Sequence, residues 1–305
     1  MRFGEVIVEQ NVDPTEITRI VTELNLSPPV IVKPNWGTIN NYTEAEIIDG
    51  VLSAIDGKSI VVESYGWART KDAAEGKGYG SQEKDDLRES DRWFLDTSGV
   101  GDVLKKHGVE YLNITEEVWA KRTVEEDVIR QIVEKKFQPV HFEEMYSWIP
   151  TRLFEMREGT FLSVAKYRLN HDPIVVSLSL KNLFGMIPGP GRMKYHGEGG
   201  YSLLAQSILD INKIYHSLFS VKGIVDAVLT ASMNRDRTDA MNPETVENKG
   251  LLLGSEDCVR LDAFIAAVEG KDPNEIEYLK LAATHFGSWD EKVIDQARQS
   301  ELRIF

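Results

Sequence analysis

Cysteine is almost missing from this chain of 305 residues; Cys258 is the only one. A single cysteine excludes an intramolecular disulfide, a cysteine-built zinc site and an all-cysteine iron–sulfur cluster. Beside Val259 in a predicted helix, it reads as a small buried residue. Positive charge is scarce too. Lys and Arg number 35 against 49 Asp and Glu, giving a formal net charge of -14. Phosphate-backbone contacts need the opposite balance, so nucleic-acid binding is not expected, and an anionic membrane surface would repel the chain. Long hydrophobic runs are absent. No apolar stretch approaches the ~20 residues that span a bilayer, and the segment Met1 to Gln10 has no long apolar run behind a basic start, so no signal peptide is expected. The sequence holds no internal repeat or low-complexity segment, and no P-loop, dinucleotide fingerprint or H-E-x-x-H motif. The expectation is a soluble cytoplasmic protein. With 42% hydrophobic residues, the chain can bury one large core or two modest ones, and disorder is not expected.

What is present first is an alternation of strand and helix signals. Glu5 to Glu9 is β-rich. Asp13-Pro14-Thr15-Glu16 reads as a helix start, with a capping residue, a proline in the first turn and a glutamate three residues on. Pro29 to Lys33 and Ser59 to Glu63 are apolar, β-branched strands. Between them Thr43 is placed as the cap of a helix whose Ile47, Ile48, Val51 and Leu52 form one apolar face. A strand, helix, strand order of this kind predicts a right-handed crossover and a parallel sheet. Residues 64 to 82 lack periodicity and read as a lid, a binding loop or a disordered segment, with Trp67 and Arg69 as lid contacts if it is a lid. Two helical stretches and a strand near Val109 to Ile114 follow, then a charged helix over 123–136 and a strand over 161–166. Val176 to Phe184 reads as a strand running into a helix. Helices are predicted over 201–218, 258–268 and 273–286, and strands over 223–230 and 251–253. The fold class is α/β, a mostly parallel sheet flanked by helices. It reads as one domain over 1–305, with two lobes and a cleft as an option and a lobe boundary within 64–160.

The segment from His171 to His196 breaks the acidic pattern. From Lys166 to Lys194 the charged residues are Lys166, Arg168, Lys181, Arg192 and Lys194 against Asp172 alone. A positive site in a negative shell concentrates small anions and rejects polyanions. Arg192 can grip a carboxylate or phosphate with its fork, and Lys194 adds charge. Gly185, Gly189, Gly191, Gly197, Gly199 and Gly200 let the backbone turn and present N–H groups, and the helix that follows adds its positive end. Taken singly, Lys166, Arg168 and Lys194 also fit ordinary surface charge. Lys181 differs, because it sits in the apolar run Ser177 to Phe184. Burial and positive neighbours lower a lysine pKa, making it a candidate acid, base or nucleophile. His171 and His196 are candidate proton carriers or metal ligands.

Several runs resemble the family called domain of unknown function 362. Ser177-Leu178-Ser179-Leu180-Lys181-Asn182-Leu183-Phe184-Gly185, then Arg192 and His196, is similar to its central signature, with Asn170-His171-Asp172 upstream. Val30-Ile31-Val32-Lys33-Pro34-Asn35 resembles its N-terminal K-P-N motif. The run from Gly254 through Asp257 and Asp262 to Ala263 resembles its paired-aspartate segment, and Gly270 to Gly287 the helix beyond. The resemblance implies a fold and brings Lys33, Asn35, Asn182, Asp257 and Asp262 into the candidate site, but it implies no reaction. Many members carry a ferredoxin-like cysteine domain, and this chain has none, so an iron–sulfur role is not carried over. Thr230 to Gly250 lacks the G-x-G-P pattern of the family. Separately, the order Lys181, Ile187-Pro188-Gly189, His196 resembles the nickel-pincer lactate racemase family, which implies a lysine-tethered nucleotide cofactor and a histidine metal ligand.

Ligands of open parallel sheets bind beyond the carboxyl ends of the strands. Lys33, Asn35 and Thr38 follow one strand, Glu63 and Ser64 another. Lys33 would meet an anionic group and Asn35 a polar edge; alternatively Asn35 is a turn residue and Glu63 the partner of Lys33. Asp257 caps the following helix in the plain reading. The leading expectation is an enzyme for a small phosphorylated or carboxylated substrate, with Lys181, Arg192, Lys33, Lys194, Asn35 and Asn182 on the substrate and His196 or His171 moving a proton. A metal- or cofactor-dependent enzyme of redox or racemase type, with any divalent metal on His171, His196, Asp257 and Asp262, is the first alternative. A non-enzymatic binder of an anionic cofactor is the second. The sequence leaves the oligomeric state open.

Overall fold

The computed structural model describes residues 1–39, 41–66, 68–169, 174–198, 201–231, 246–302 and 304. Ten strands are present among them: β1 (Arg2–Phe3), β2 (Val6–Gln10), β3 (Val30–Pro34), β4 (Ser59–Glu63), β5 (Glu110–Asn113), β6 (Thr160–Lys166), β7 (Arg168–Leu169), β8 (Val176–Ser177), β9 (Ser220–Ala231) and β10 (Val246–Ser255). Eight of them form one sheet in the order β1-β2-β10-β9-β6-β3-β4-β5, and β7 and β8 form a short antiparallel ribbon. Pairing is parallel from β5 through β4, β3 and β6 to β9, and antiparallel from β9 through β10 and β2 to β1. The fold is α/β, with helices flanking a mostly parallel sheet, as the sequence predicts. Residues 64–160 contribute β5 to that same sheet.

The apolar strands sit in the middle because both faces of a parallel sheet are covered. On one face Val30, Val32, Val61 and Leu162 pack with Ile20, Val21, Ile48 and Val51 of the helices Pro14–Glu23 and Ala45–Ala54. On the other face Ile31, Ile60, Val62 and Phe161 pack with the helices Leu204–Leu218 and Cys258–Val268. Asp13 caps the first of these helices through the N–H groups of Thr15 and Glu16, and Glu16 returns a bond to Asp13.

Three expectations need correction. Thr43 does not cap the helix Ala45–Ala54; Glu44 holds the cap position without a side-chain bond. The Thr43 hydroxyl instead accepts from Asn35 N at 3.0 Å and donates to Val164 O at 3.1 Å, so it clamps the chain leaving β3 onto β6. The helix expected over 273–286 is divided into a 3-10 turn, Pro273–Glu275, and the helix Glu277–Phe286. A last helix, Glu291–Gln299, lies beyond the elements read from sequence and is capped by Asp290. No helix of the described residues is long and apolar enough to cross a membrane.

The start of β6 leaves no room for a side chain at Gly159, where a Cβ would run into the carbonyl oxygen of Pro29. Backbone cannot yield as a flexible side chain can, so Gly159→Ala must displace β6 from β3. An overpacking loss of about 1–3 kcal/mol is expected from urea unfolding.

Candidate active site

Parallel strands release the chain at one edge of the sheet, so the segments after β3, β4 and β6 converge. Lys33 and Glu63 meet there, both buried, with Lys33 Nζ 2.8 Å from Glu63 Oε2. Glu63 also accepts Trp36 N and Ser64 N, each at 3.0 Å. Lys33 donates in addition to Pro34 O at 2.6 Å and Asn182 Oδ1 at 3.4 Å. Burial pulls the Lys33 ammonium below its ordinary range, against the pull of Glu63. The turn carrying Gly185 passes directly over this pair: a Cβ there would lie 2.8 Å from Lys33 Nζ and 3.1 Å from Glu63 Oε1.

Three arginines surround the pair. Arg69 is buried against Asp91, donates to Trp36 O at 3.1 Å and lies over the Phe94 ring. Arg168, from the β7–β8 ribbon, donates to Thr38 Oγ1 at 2.8 Å, Asn35 Oδ1 at 3.2 Å and Asn41 O. Arg192 donates from Nε to Ile187 O at 2.9 Å, and from Nη2 to Tyr65 O at 3.0 Å and to Ser64 Oγ. Arg69 alone among the three has a carboxylate in direct contact among the described residues. The Nε atoms of Arg69 and Arg168 are buried and donate to nothing among the described residues. Burial pulls Arg168 and Arg192 down to about 10, which leaves both charged at neutral pH.

Lys181 projects from the short helix Ser179–Asn182, and that helix is held in place from below. Asp262 accepts Ser179 N at 3.0 Å, Leu180 N at 2.9 Å and the Ser179 hydroxyl. Ser163 Oγ donates to Ser179 O and Asn212 Nδ2 to Leu180 O, each at 2.9 Å. The Lys181 side chain keeps some solvent access yet is walled by protein. Burial first, then the charges of Arg168 and Arg192, bring its amine down to about 8. It makes no hydrogen bond or ion pair among the described residues. The named set therefore holds five cations (Lys33, Arg69, Arg168, Lys181, Arg192) against two carboxylates (Glu63, Asp91). Enclosed charge in such excess is costly without an anion to answer it.

The sequence-derived residues divide sharply. Lys181 and Arg192 come together with Arg168, and Asn35 meets Arg168. Lys33 and Asn182 direct their polar groups inward: Asn182 Nδ2 donates to Lys33 O at 2.9 Å and to Ser163 Oγ at 3.1 Å. Lys194 lies on the surface, 3.2 Å from Glu144 and over the Tyr195 ring. Lys166 is buried between Glu44 and Asp226, at 2.5 and 2.9 Å. His196 packs edge-on against Phe184, with ring centroids 4.7 Å apart. His171 and Trp67 lie outside the described residues. Asp257 caps the helix Cys258–Val268 by accepting Val259 N and Arg260 N. Among the described residues no three His, Cys, Asp or Glu side chains cluster as metal ligands. The sequence reading counts Arg168 in the basic cluster while also fitting it as surface charge, and has Ser179 only within the signature run; it passes over Ser163 and Asp91, which belong to no motif and are brought here by long-range pairing.

Fold and site define an α/β protein with an enclosed cationic recess at the carboxyl ends of a parallel sheet. Residues 30–267 match the family model described as Domain of unknown function (DUF362). The chain belongs to that family. No curated protein and no solved structure matches it.

Asp262 gives this site a measurable strut. Asp262→Ala leaves two buried N–H groups unpaired, and a loss of about 2–4 kcal/mol is expected in urea unfolding. Burial raises the Asp262 carboxyl to about 7. Its folded pKa lies above the unfolded value, so its stabilisation is complete below pH about 4 and is lost as pH rises through about 7. Wild type should therefore lose stability relative to Asp262→Asn across that interval.

Proposed function

We propose that the protein is an enzyme acting on a small carboxylated or phosphorylated molecule. Arg168 and Arg192 hold the anionic group, and Lys181 transfers a proton. The observation carrying this reading is the Lys181 amine, without a partner among the described residues, near two arginines that have no direct carboxylate partner among them either. An arginine fork matches the paired oxygens of a carboxylate or phosphate. A bound anion also lowers the repulsion that Lys181 feels. With a pKa of about 8, about a tenth of the amine is free base at pH 7, enough for a general base, while the protonated remainder can serve as an acid. Lys33, Glu63 and Asn182 fix the floor on which these groups stand. His196, on the turn that begins with Arg192, is the second candidate proton carrier.

A desolvated, unpaired ammonium opposes folding, which gives the reading a distinctive test. Lys181→Met should stabilise the ligand-free protein at pH 7 by on the order of 1 kcal/mol, allowing for partial solvent access of the amine. The gain should shrink above pH about 8, where the wild-type amine becomes neutral in the folded state while staying charged in the unfolded chain. The same variant should weaken inorganic phosphate and acetate binding at least tenfold by calorimetry. Turnover from a panel of phosphorylated and carboxylated compounds should show kcat/KM rising through pH about 8 if Lys181 acts as the base. Phosphate and acetate affinities unaltered in both Lys181→Met and Arg192→Gln would sink the assignment. Tight binding without turnover of any panel member would leave a binding protein.

A further inference from the structure

We infer that the substrate carries an apolar tail, aromatic or aliphatic, seated in a cavity whose wall includes Arg192. This rests on the anionic-substrate reading and narrows it to amphipathic anions. The cavity has a volume of about 330 Å³ and lies between the segment 65–87 and the turn 189–193. Tyr65, Tyr79, Leu87, Pro190 and Met193 make its apolar wall, and Arg192 is the one charged side chain among its described lining residues. Tyr79 and Met193 are 47% and 43% exposed, two of only four large hydrophobic side chains exposed among the described residues. Exposed apolar groups gathered at the mouth of a cavity mark a binding surface more strongly than the same groups scattered.

The wall is built to keep its shape. The Tyr65 ring lies 5.5 Å from Trp119, and its hydroxyl donates to Glu116 at 2.6 Å. Glu116 is gripped in turn by Arg88, Nε at 2.6 Å and Nη2 at 3.0 Å. Gly191 has a φ of +96°, a left-handed conformation that favours glycine, and it leads directly into Arg192. Arg192 thus belongs to both compartments. Its guanidinium bonds Ser64 Oγ and Tyr65 O, its charge acts on Lys181, and its side chain borders the cavity. Free phosphate or acetate satisfies the cations but leaves the apolar wall wet. The volume of about 330 Å³ falls within the usual range for ligand pockets and has room for a small ring or a short aliphatic chain.

The probes are inorganic phosphate, acetate, phenyl phosphate, phenylacetate and the neutral benzyl alcohol, titrated calorimetrically into the chain of 305 residues. Each phenyl anion should bind at least tenfold tighter than its parent anion, and benzyl alcohol far more weakly than phenylacetate. Met193→Ser, at an exposed position, should bring the phenyl phosphate to phosphate affinity ratio toward one, and Met193→Leu should restore it. Phosphate and acetate binding as tightly as their phenyl derivatives would overturn the tail inference and leave the anion site standing. Benzyl alcohol binding as tightly as phenylacetate, with Arg192→Gln without effect, would overturn the anionic reading while keeping the cavity as an apolar site.

Discussion

One buried carboxylate carries the organisation of this site. Glu63, at the end of β4, accepts a lysine and two backbone N–H groups, and its charge opposes the desolvation of Lys33, Arg168 and Arg192. A single negative charge cannot neutralise that many cations. It can hold them close enough that the remaining charge has a defined place and direction. A side chain in the turn over the pair would press on it, since a Cβ at Gly185 would lie 2.8 Å from Lys33 Nζ and 3.1 Å from Glu63 Oε1 and the ion pair would have to shift. The ion pair, the glycine turn and the cationic recess are thus parts of one arrangement.

A second carboxylate works from beneath. Asp262 does not face the recess; it fixes the start of the short helix bearing Lys181, with Asn212 and Ser163 fixing its carbonyls. Three separate elements are therefore spent on the orientation of four residues. A helix this short has little stability of its own, so its geometry is dictated by the groups around it. That is the condition for holding a lysine amine with no partner among the described residues at a set position against two positive neighbours. The opposing strain is the usual relation between stability and function at binding sites.

At Lys166 the same chain neutralises a buried charge. Lys166, two residues before Arg168, is answered by Glu44 and Asp226. Burial and the nearby Asp226 push Glu44 up to about 8, so that cluster can reach neutrality by keeping a proton. Among the described residues Arg168, Lys181 and Arg192 have no carboxylate in direct contact. The contrast between compensated and uncompensated cations on neighbouring segments separates a structural charge cluster from a candidate ligand site. Charge counting along the sequence places all of them in one group.

The sequence by itself determined the fold class and most of the element order, and it made several groups of the recess stand out. Val30 to Lys33, Ser59 to Glu63 and the apolar face of Ile47, Ile48 and Val51 encode a parallel crossover through local periodicity, and Lys181 stands out because it interrupts an apolar run. Arg192 stands out because it follows a glycine-proline turn in an acidic chain. Tertiary structure alone decided which cations share a recess and which are paired away. Arg168 joins it because β7 and β8 pair, Lys194 leaves it for Glu144, and Thr43 gives up a helix cap to tie β3 to β6. Periodicity and capping are interactions of near neighbours and can be read in order along the chain. Compensation of a buried charge depends on distance in space, and the partners here are separated by 30 residues for Lys33 and Glu63 and by 83 for Ser179 and Asp262.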